Sequence, residues 1–579
     1  RTRALAPTHQ ARCGWHCRRA CPGSVCRARS GVRTQPPPRG KAAHSGHRYG
    51  VPPMRRLIAL TLFAAATLAN AQTLRWAAQG DMQSTDPHAA NEILNNSLNG
   101  QVYETLARRA PDQNIGPALA TEWTQVTPLL WRVKLRPGVK FHDGTPFTAD
   151  DVVFSMQRLR DPTSPFRVYA NAVGIPKAID PLTVVFALDK PNPVFAEHLT
   201  SLQIMSKRWC EANRVTRPLD LKAKEESFAS QNANGTGPFM LVSRQPGVKT
   251  VFKRNPNYWG KADPTQGNVQ DLVFLPISVD ATRTAALISG EVDFVLDPPP
   301  RDVERLRSTP GVKVLDGVEN RIVYIGMDQS RDKLLYGQVP GDKNPFKDLR
   351  VRRAMYQAID IDAIKSKLMS GFSVPTGGLT PSARGGYNDP ALETRLPFDM
   401  AAAKKLMAEA GYPDGFEVTL DCPNNRYVND ERICIALASL WAQLKIKVKV
   451  NAMPRVLFFP KLEKFDTSLY LHGWGGGSAD AEIMLTPVLR NRGEQGVGVA
   501  NYGGWVNDKA DALAAASTVE PDPKKREQLI KGALAEYRQQ INIIPLHRQI
   551  IPWAMRSNIT VTHSPGNWFD ADRTRVAAQ

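Results

Sequence analysis

The stretch Pro117–Leu159 constrains this chain more than any other part of it. It reads PALATEWTQVTPLLWRVKLRPGVKFHDGTPFTADDVVFSMQRL. Trp131, Val133 and Leu135 alternate with Arg132 and Lys134, the period of a half-buried strand. Pro137-Gly138 breaks that pattern, and the run from Phe141 to Phe147, with Asp143-Gly144 at its bend, makes a second turn. Thr148 then stands where a helix N-cap should. Asp151 follows three residues on, and Val152, Val153, Met156 and Leu159 share one face. The order is strand, turn, strand, turn, helix.

The rest of the chain continues in that idiom. Asp399 caps a helix over 400–410 that stops at Gly411, with Leu406, Met407 and Ala410 on one side. Residues 416–420 form a strand, and 430–444 a helix with Ile433, Leu437, Leu440 and Leu444 on one face. Residues 446–450 alternate as a strand. Asp522-Pro523 opens a long helix with Leu529, Ile530, Leu534 and Tyr537 inward. Strands alternating with crossover helices predict α/β layers, and about 500 residues exceed one ordinary core.

The N-terminal part reads differently. Residues 54–71 have the physics of a secretory signal peptide. Arg55 and Arg56 precede a short apolar run from Leu57 to Ala66, and Ala69-Asn70-Ala71 is a small-residue cleavage site. The apolar run is about half of what a membrane span needs. Residues 1–53 contain eleven Lys or Arg and no acid. They are expected to be an upstream extension of the natural start, disordered if present. Cys13, Cys17, Cys21 and Cys26 lack the paired C-x2-C knuckles of a zinc site.

Setting residues 1–71 aside leaves 62 basic and 55 acidic residues, a net charge of +7 rather than +20. Nothing in that balance calls for nucleic acid or a polybasic membrane site. Gln72 stands where a lipoprotein would need Cys, so the expectation is a freely soluble periplasmic protein. Cys210, Cys422 and Cys434 remain. An oxidising compartment favours pairing, and a Cys422–Cys434 disulfide is expected, with Cys210 free.

Several further stretches carry a resemblance. They are Asn234-Gly-Thr-Gly-Pro-Phe239, Lys253-Arg-Asn-Pro-Asn-Tyr-Trp259, Ala285–Asp293, Asp348–Asp360 and Ala408–Phe416. With the 117–159 unit they occur in an order that resembles the family 5 extracellular solute-binding proteins, the receptors of bacterial ABC importers. The resemblance implies a fold like the type II periplasmic binding proteins. Two main lobes and an additional inserted lobe would be hinged, with the ligand cleft between them. Lobe I would comprise 72–105, 235–325 and 541–579, lobe II 106–234, and lobe III 326–540. It also implies a monomer that binds a peptide or peptide-like solute without a cofactor. Its partners would be a membrane permease and its ATPase.

The candidate site centres on Leu469-Tyr-Leu-His-Gly-Trp-Gly-Gly-Gly-Ser-Ala-Asp-Ala-Glu482. Small residues let a backbone approach a ligand, and Trp474 offers a flat face and one donor. Gly473, Gly475 and His472 flank it. In peptide binders of the family the backbone here pairs with the peptide, and an Asp three residues after the Trp holds its ammonium. Here that position is Gly477. Asp480 and Glu482 stand in for it only if the loop is rearranged. A second candidate is the loop from Cys422 to Cys434, where Arg426, Tyr427 and Asn429 suit a carboxylate. A third is the turn Gln79-Gly80-Asp81.

Two rival readings bear on the same residues. A hydrolase built on His142-Asp143 lacks support from any G-x-S-x-G, H-E-x-x-H or Walker A motif, so no catalysis is expected. A non-peptide cargo on the same fold, such as a nickel chelate, an opine, a sugar or haem, is the alternative, with His472 its one sequence cue. The six His after residue 71 are too scattered to predict a metal site.

Overall fold

The computed structural model describes residues 72–578 except 111, 222, 383–388 and 495. The signal-peptide, four-cysteine and upstream readings fall on residues 1–71 and lie outside the described residues. Among the described residues no helix is long and apolar enough to cross a membrane.

Two long strands organise the molecule, Val312–Met327 and Ile543–Arg556, paired antiparallel. They belong to a twelve-stranded sheet and lie near its middle. On one side, Phe294–Leu296, Thr73–Ala78, Asp271–Pro276, Lys249–Arg254 and Phe239–Gln245 follow in spatial order. On the other side lie Leu469–Gly475, Glu417–Pro423 and Gly337–Gln338. Ser373–Pro375 and Lys447–Met453 join at the flanks. Thr73–Ala78 runs parallel to both of its neighbours, and so does Glu417–Pro423 to Lys447–Met453 and Leu469–Gly475. Each side is covered by helices over its own core. Trp76, Phe274, Phe294, Trp553 and Phe569 pack on one side, and Ile325, Met355, Leu437, Trp441 and Ile544 on the other.

The two long strands lose register near their centre, first between Val318 and Ile322 and again between Val323 and Tyr324. Val318 pairs with Ile550 and Ile322 with Arg548, so Glu319, Asn320 and Arg321 lie opposite Gln549 alone. The boundary anticipated at residue 325/326 therefore falls inside a continuous strand, a few residues past this break.

Residues 106–234 hold a separate four-stranded antiparallel sheet, Ala120–Thr127, Leu130–Leu135, Thr183–Ala187 and Ile175–Asp180 in spatial order. Helix Ala149–Leu159 packs on it through Val152, Met156 and Leu159, all fully buried. The Thr148 amide donates to the Asp151 carboxylate at 2.9 Å, which fixes the helix start.

The joint between this piece and the rest explains the family-like wording. The His142 amide donates to the Gly235 carbonyl, and its imidazole Nε2 lies 3.0 Å from the Gly237 carbonyl. The Asp143 amide donates to Asn234 Oδ1 at 3.1 Å. A Cβ on Gly235 would lie 2.0 Å from the Val102 carbonyl oxygen, so only glycine lets the segments meet. Thr236, Tyr258 and Trp259 all donate to the Glu104 carboxylate at 2.8–3.0 Å. Burial pushes that carboxyl up to about 7 despite these bonds. His142-Asp143 is thus a structural turn, and the Asp143 carboxylate accepts from Thr145.

One buried ion pair ties the same helix to the main sheet. Arg158 donates twice to Asp86, at 2.8 and 2.6 Å, with both side chains shut off from solvent. The remaining capacity is filled by the Val215 and Arg217 carbonyls and the His88 and Leu219 amides. Breaking such a pair from one side costs about 3–5 kcal/mol.

His547, on the second long strand, is fully buried and neither ring nitrogen has a partner among the described residues. Burial, then the charge of Arg395, hold its pKa down at about 3. Its folded pKa lies below the unfolded value near 6.5. The unfolded chain therefore takes up the proton first, and His547 erodes stability as pH falls from about 6.5 toward 3. His547→Leu is expected to lose less stability than wild type between pH 7 and pH 4. Urea denaturation at the two pH values measures the difference, and equal losses would show that His547 is not the group responsible.

Candidate functional site

A cavity of about 1,930 Å³ lies over the register break. It is lined from every part of the chain: Glu92 and Gly100 before the four-stranded sheet, Arg109 and His198 within the 106–234 piece, Arg321 on the first long strand, and Arg426, Trp474 and Glu482 beyond it.

Strand Leu469–Gly475 forms one wall. It extends further than its sequence implied, because Gly473, Trp474 and Gly475 pair with Val323, Ile322 and Arg321. The glycines serve the chain's own packing. A Cβ on Gly475 would lie 1.9 Å from the Asn320 carbonyl oxygen, and one on Gly473 would strike the Tyr427 ring at 2.7 Å. Gly477 has nothing within 4 Å. The indole N–H of Trp474 is not free either, since it donates to the Ile483 carbonyl at 2.6 Å. What Trp474 presents to the cavity is its ring, stacked on His472 with centroids 6.0 Å apart. The far edge of this strand has a partner strand only at Leu469 and Tyr470. From Leu471 onward that edge faces the 424–430 loop, and the Tyr427 hydroxyl donates to the Gly473 carbonyl at 3.0 Å.

His472 is buried, with Nδ1 unpartnered. Burial and the charges of Arg426 and Arg321 hold its pKa down at about 3, so the imidazole is neutral at physiological pH.

The loop from Cys422 to Cys434 supplies Arg426 and Tyr427. Its ends are joined by a Cys422–Cys434 disulfide with Cα atoms 6.5 Å apart. Cys210 is a free, buried thiol. Asp430 braces the loop by accepting from the Arg426 and Tyr427 amides at 2.8 and 3.0 Å. Burial nonetheless pushes its carboxyl up to about 6. The Arg426 guanidinium lies 5.2 Å from the Tyr427 ring centroid, and that of Arg321 lies 5.9 Å from the same ring.

Two sequence candidates, Asn429 and the turn Gln79-Gly80-Asp81, stay out of the lining, and a third, Asp480, lines the cavity with its carboxylate engaged. Asn429 is not among the cavity-lining residues. It takes the left-handed conformation (φ 56°) at the helix start and donates to the Leu368 carbonyl at 3.0 Å. Gln79, Gly80 and Asp81 also stay out of the lining. Asp81 accepts from the Met82 and Gly247 amides, and Gly80 underlies the Arg455 guanidinium. Asp480 reaches the cavity, but Arg526 holds its carboxylate with two 2.8 Å bonds. Glu482 does line the cavity, and its carboxylate lies 3.9 Å from His198 Nε2.

Sequence reasoning missed Arg321. The signal was there: Glu319-Asn320-Arg321 is a polar triplet entering an apolar strand, and such residues are rarely fully buried without a reason.

Residues 114–496 match the model of the bacterial extracellular solute-binding proteins, family 5 Middle. The chain belongs to that family. It is 27% identical over 482 residues to heme-binding protein A of Haemophilus influenzae, covering 79% of this chain and 83% of that one. It is 26% identical over 540 residues to the glutathione-binding protein GsiB of Escherichia coli O1:K1, covering 92% and 98%. The dipeptide-binding protein of Pseudoalteromonas in complex with Met-Leu superposes with a TM-score of 0.74 at 21% identity, covering 87% and 100%. These relatives are binding proteins rather than enzymes.

Two outcomes test the site of this solute-binding protein. Gly475→Ala is expected to destabilise by about 1–3 kcal/mol, because the methyl must displace the Asn320 backbone. Gly477→Ala should unfold with wild type. Urea titration of both variants checks the contrast. Thiol labelling of the unfolded, unreduced chain from residue 72 onward should find one reactive cysteine, Cys210. Three would show that the Cys422–Cys434 bridge does not form.

Proposed function

We propose that this protein is the periplasmic receptor of an ABC importer and that it takes up a peptide-like solute in the 1,930 Å³ cavity. The residues before 326 and those of 326–540 act as jaws, hinged where the two long strands lose register. The carrying observation is the lining itself: a cavity roughly twice the usual upper size for small-ligand sites, with guanidinium groups and a tryptophan face turned to it. A ligand that touches both jaws binds the closed state better and shifts the population toward it. Hinged closure around a bound solute is the usual motion of periplasmic binding proteins as a class. Relatives named for dipeptide, glutathione and haem binding support a solute with peptide bonds or carboxylates.

His472 favours a second reading, a metal chelate. A neutral imidazole with an unpartnered nitrogen is a metal ligand in waiting. No group of three metal-ligating side chains gathers among the described residues, so the chelator would supply the other ligands. Calorimetry with a nickel–histidine chelate separates this from the peptide reading.

For the peptide reading, Trp474→Ala should weaken binding by about 2 kcal/mol, as loss of a buried interface aromatic does. Gly477 leaves the usual ammonium partner absent and Arg526 holds Asp480, so N-acetylation of a dipeptide should change its affinity only a few-fold. Calorimetry on the matched pair measures this. A large loss on acetylation, removed by Glu482→Gln, would assign the ammonium to Glu482 and overturn the expectation.

A further inference from the structure

Two cavity-lining side chains from distant parts of the chain face each other with no hydrogen bond between them. His198 lies in helix Phe195–Leu199 of the 106–234 piece, and Glu482 in the segment after strand Leu469–Gly475. His198 Nε2 is 3.9 Å from a Glu482 carboxylate oxygen, too far for a hydrogen bond. The Glu482 amide donates to Asp480, while its carboxylate has no hydrogen bond among the described residues.

The contacts behind His198 decide what its outer nitrogen can do. Asn192 Nδ2 donates to the Ala172 carbonyl at 2.8 Å, and its Oδ1 accepts from the Val194 amide at 3.0 Å. A carbonyl only accepts and an amide N–H only donates, so these two partners fix which way the Asn192 carboxamide is turned. Its Nδ2 lies 3.0 Å from His198 Nδ1. Nδ1 therefore accepts, and the neutral ring carries its proton on Nε2, the nitrogen across from Glu482. An imidazolium would set a second N–H against the Asn192 amide. The gap thus has a donor on one side and an acceptor on the other. Around it, the Tyr169 ring centroid lies 5.7 Å from that of His198. Burial pushes the Tyr169 hydroxyl up to about 12, and the charge of Glu482 is the next cause. Glu197 is held by Arg109, and Arg490 by Asp511. The carboxamides on the lining all belong to residues 83–203, the part of the chain that supplies His198. Two of them, Asn96 and Gln203, have buried oxygens with no partner among the described residues.

Resting on the receptor reading, we infer that His198 and Glu482 form a subsite for one neutral group of the solute that accepts and donates at the same end, a hydroxyl or a primary carboxamide. Such a group accepts from Nε2–H and donates to the carboxylate, and the second of these bonds is charge-assisted. Other groups answer half of the pair or none of it. A carboxylate has no proton for Glu482 and is repelled by it. An ammonium has no lone pair for Nε2–H. A trans peptide group points its N–H and C=O in opposite directions, so a single one does not bridge two atoms this close. A methyl group leaves both partners desolvated and unpaired, the costliest way to fill the gap. Because His198 and Glu482 belong to different jaws, the bridging group also favours the closed state. Asn192 is the positioning residue, since it fixes the Nε2–H tautomer.

Calorimetry on the whole protein compares Ser-Leu and Asn-Leu with Ala-Leu, and Leu-Ser and Leu-Asn with Leu-Ala, so that either residue of a dipeptide can meet the pair. D-glucose probes a hydroxyl that comes without a peptide. At one of the two positions wild type should bind the serine or asparagine peptide about tenfold or more tightly than the alanine peptide, the effect of one charge-assisted hydrogen bond. Glu482→Leu and His198→Phe should each bring that ratio close to one and leave the alanine peptide bound as before, with circular dichroism to confirm folding. Nitrogen-15 NMR of the wild-type histidine rings should show His198 protonated on Nε2, and Asn192→Leu should mix its two tautomers and lower the ratio. A wild-type ring protonated on Nδ1 overturns the subsite. Dipeptides that bind with no preference at either position, without glucose binding, also overturn it and leave the receptor reading intact. A preference that survives both Glu482→Leu and His198→Phe places the group elsewhere and overturns it too. Glucose binding that both variants abolish, without binding of any dipeptide, supports the subsite and counts against a peptide ligand. No binding of any probe overturns both.

Discussion

The pairing of Val312–Met327 with Ile543–Arg556 is the constraint on which the rest depends. Two strands this long run through both halves of the sheet, so each half inherits its orientation from the same pair of backbones. A perfect ladder would make one stiff plate. Three residues opposite one break the ladder at its centre, and a bulge bends a strand and increases its twist. The cavity sits at that bend. Arg321 comes from the break itself, Gly475 lies opposite it, and the Tyr427 loop is bonded to Gln549 on the other strand.

A second dependence lies at the joint with the 106–234 piece. Its four-stranded sheet packs on its own core, apart from its contacts with the main sheet. It needs such contacts to be placed. The Arg158–Asp86 pair, the glycines against the Val102 carbonyl and the donors converging on Glu104 do this with hydrogen bonds and close backbone contacts. A buried ion pair is weak evidence for stability but carries geometry well. That geometry sets where Arg109, Gln113 and His198 meet the cavity.

The chemistry of the cavity follows from burial rather than from unusual side chains. Desolvation keeps His472 neutral and leaves Arg321 and Arg426 as the charged donors beside it. Three acids on the lining meet an arginine: Asp480 meets Arg526, Glu92 meets Arg455, and Glu197 meets Arg109. Glu482 lies 3.9 Å from the His198 imidazole.

By itself the sequence determined the family, the α/β class and the elements, because strand period, N-caps and glycine stops are local signals. Thr148 with Asp151 and Asp399 ahead of its helix are caps that neighbours in sequence enforce. It also marked the Trp474 strand and the Arg426–Tyr427 loop, where composition is unusual over a few residues. Tertiary structure decided which of those residues face the cavity. Asn429 is one residue too far round the turn, Asp480 is claimed by an arginine 46 positions away, and Gln79-Gly80-Asp81 folds against other backbone. It alone revealed Arg321, since a register break exists only between two strands, and these lie more than two hundred residues apart in the chain. Local patterns record what a residue does to its own backbone. Which side chains are left without a partner, and so are available to a ligand, depends on long-range pairing that no local pattern contains.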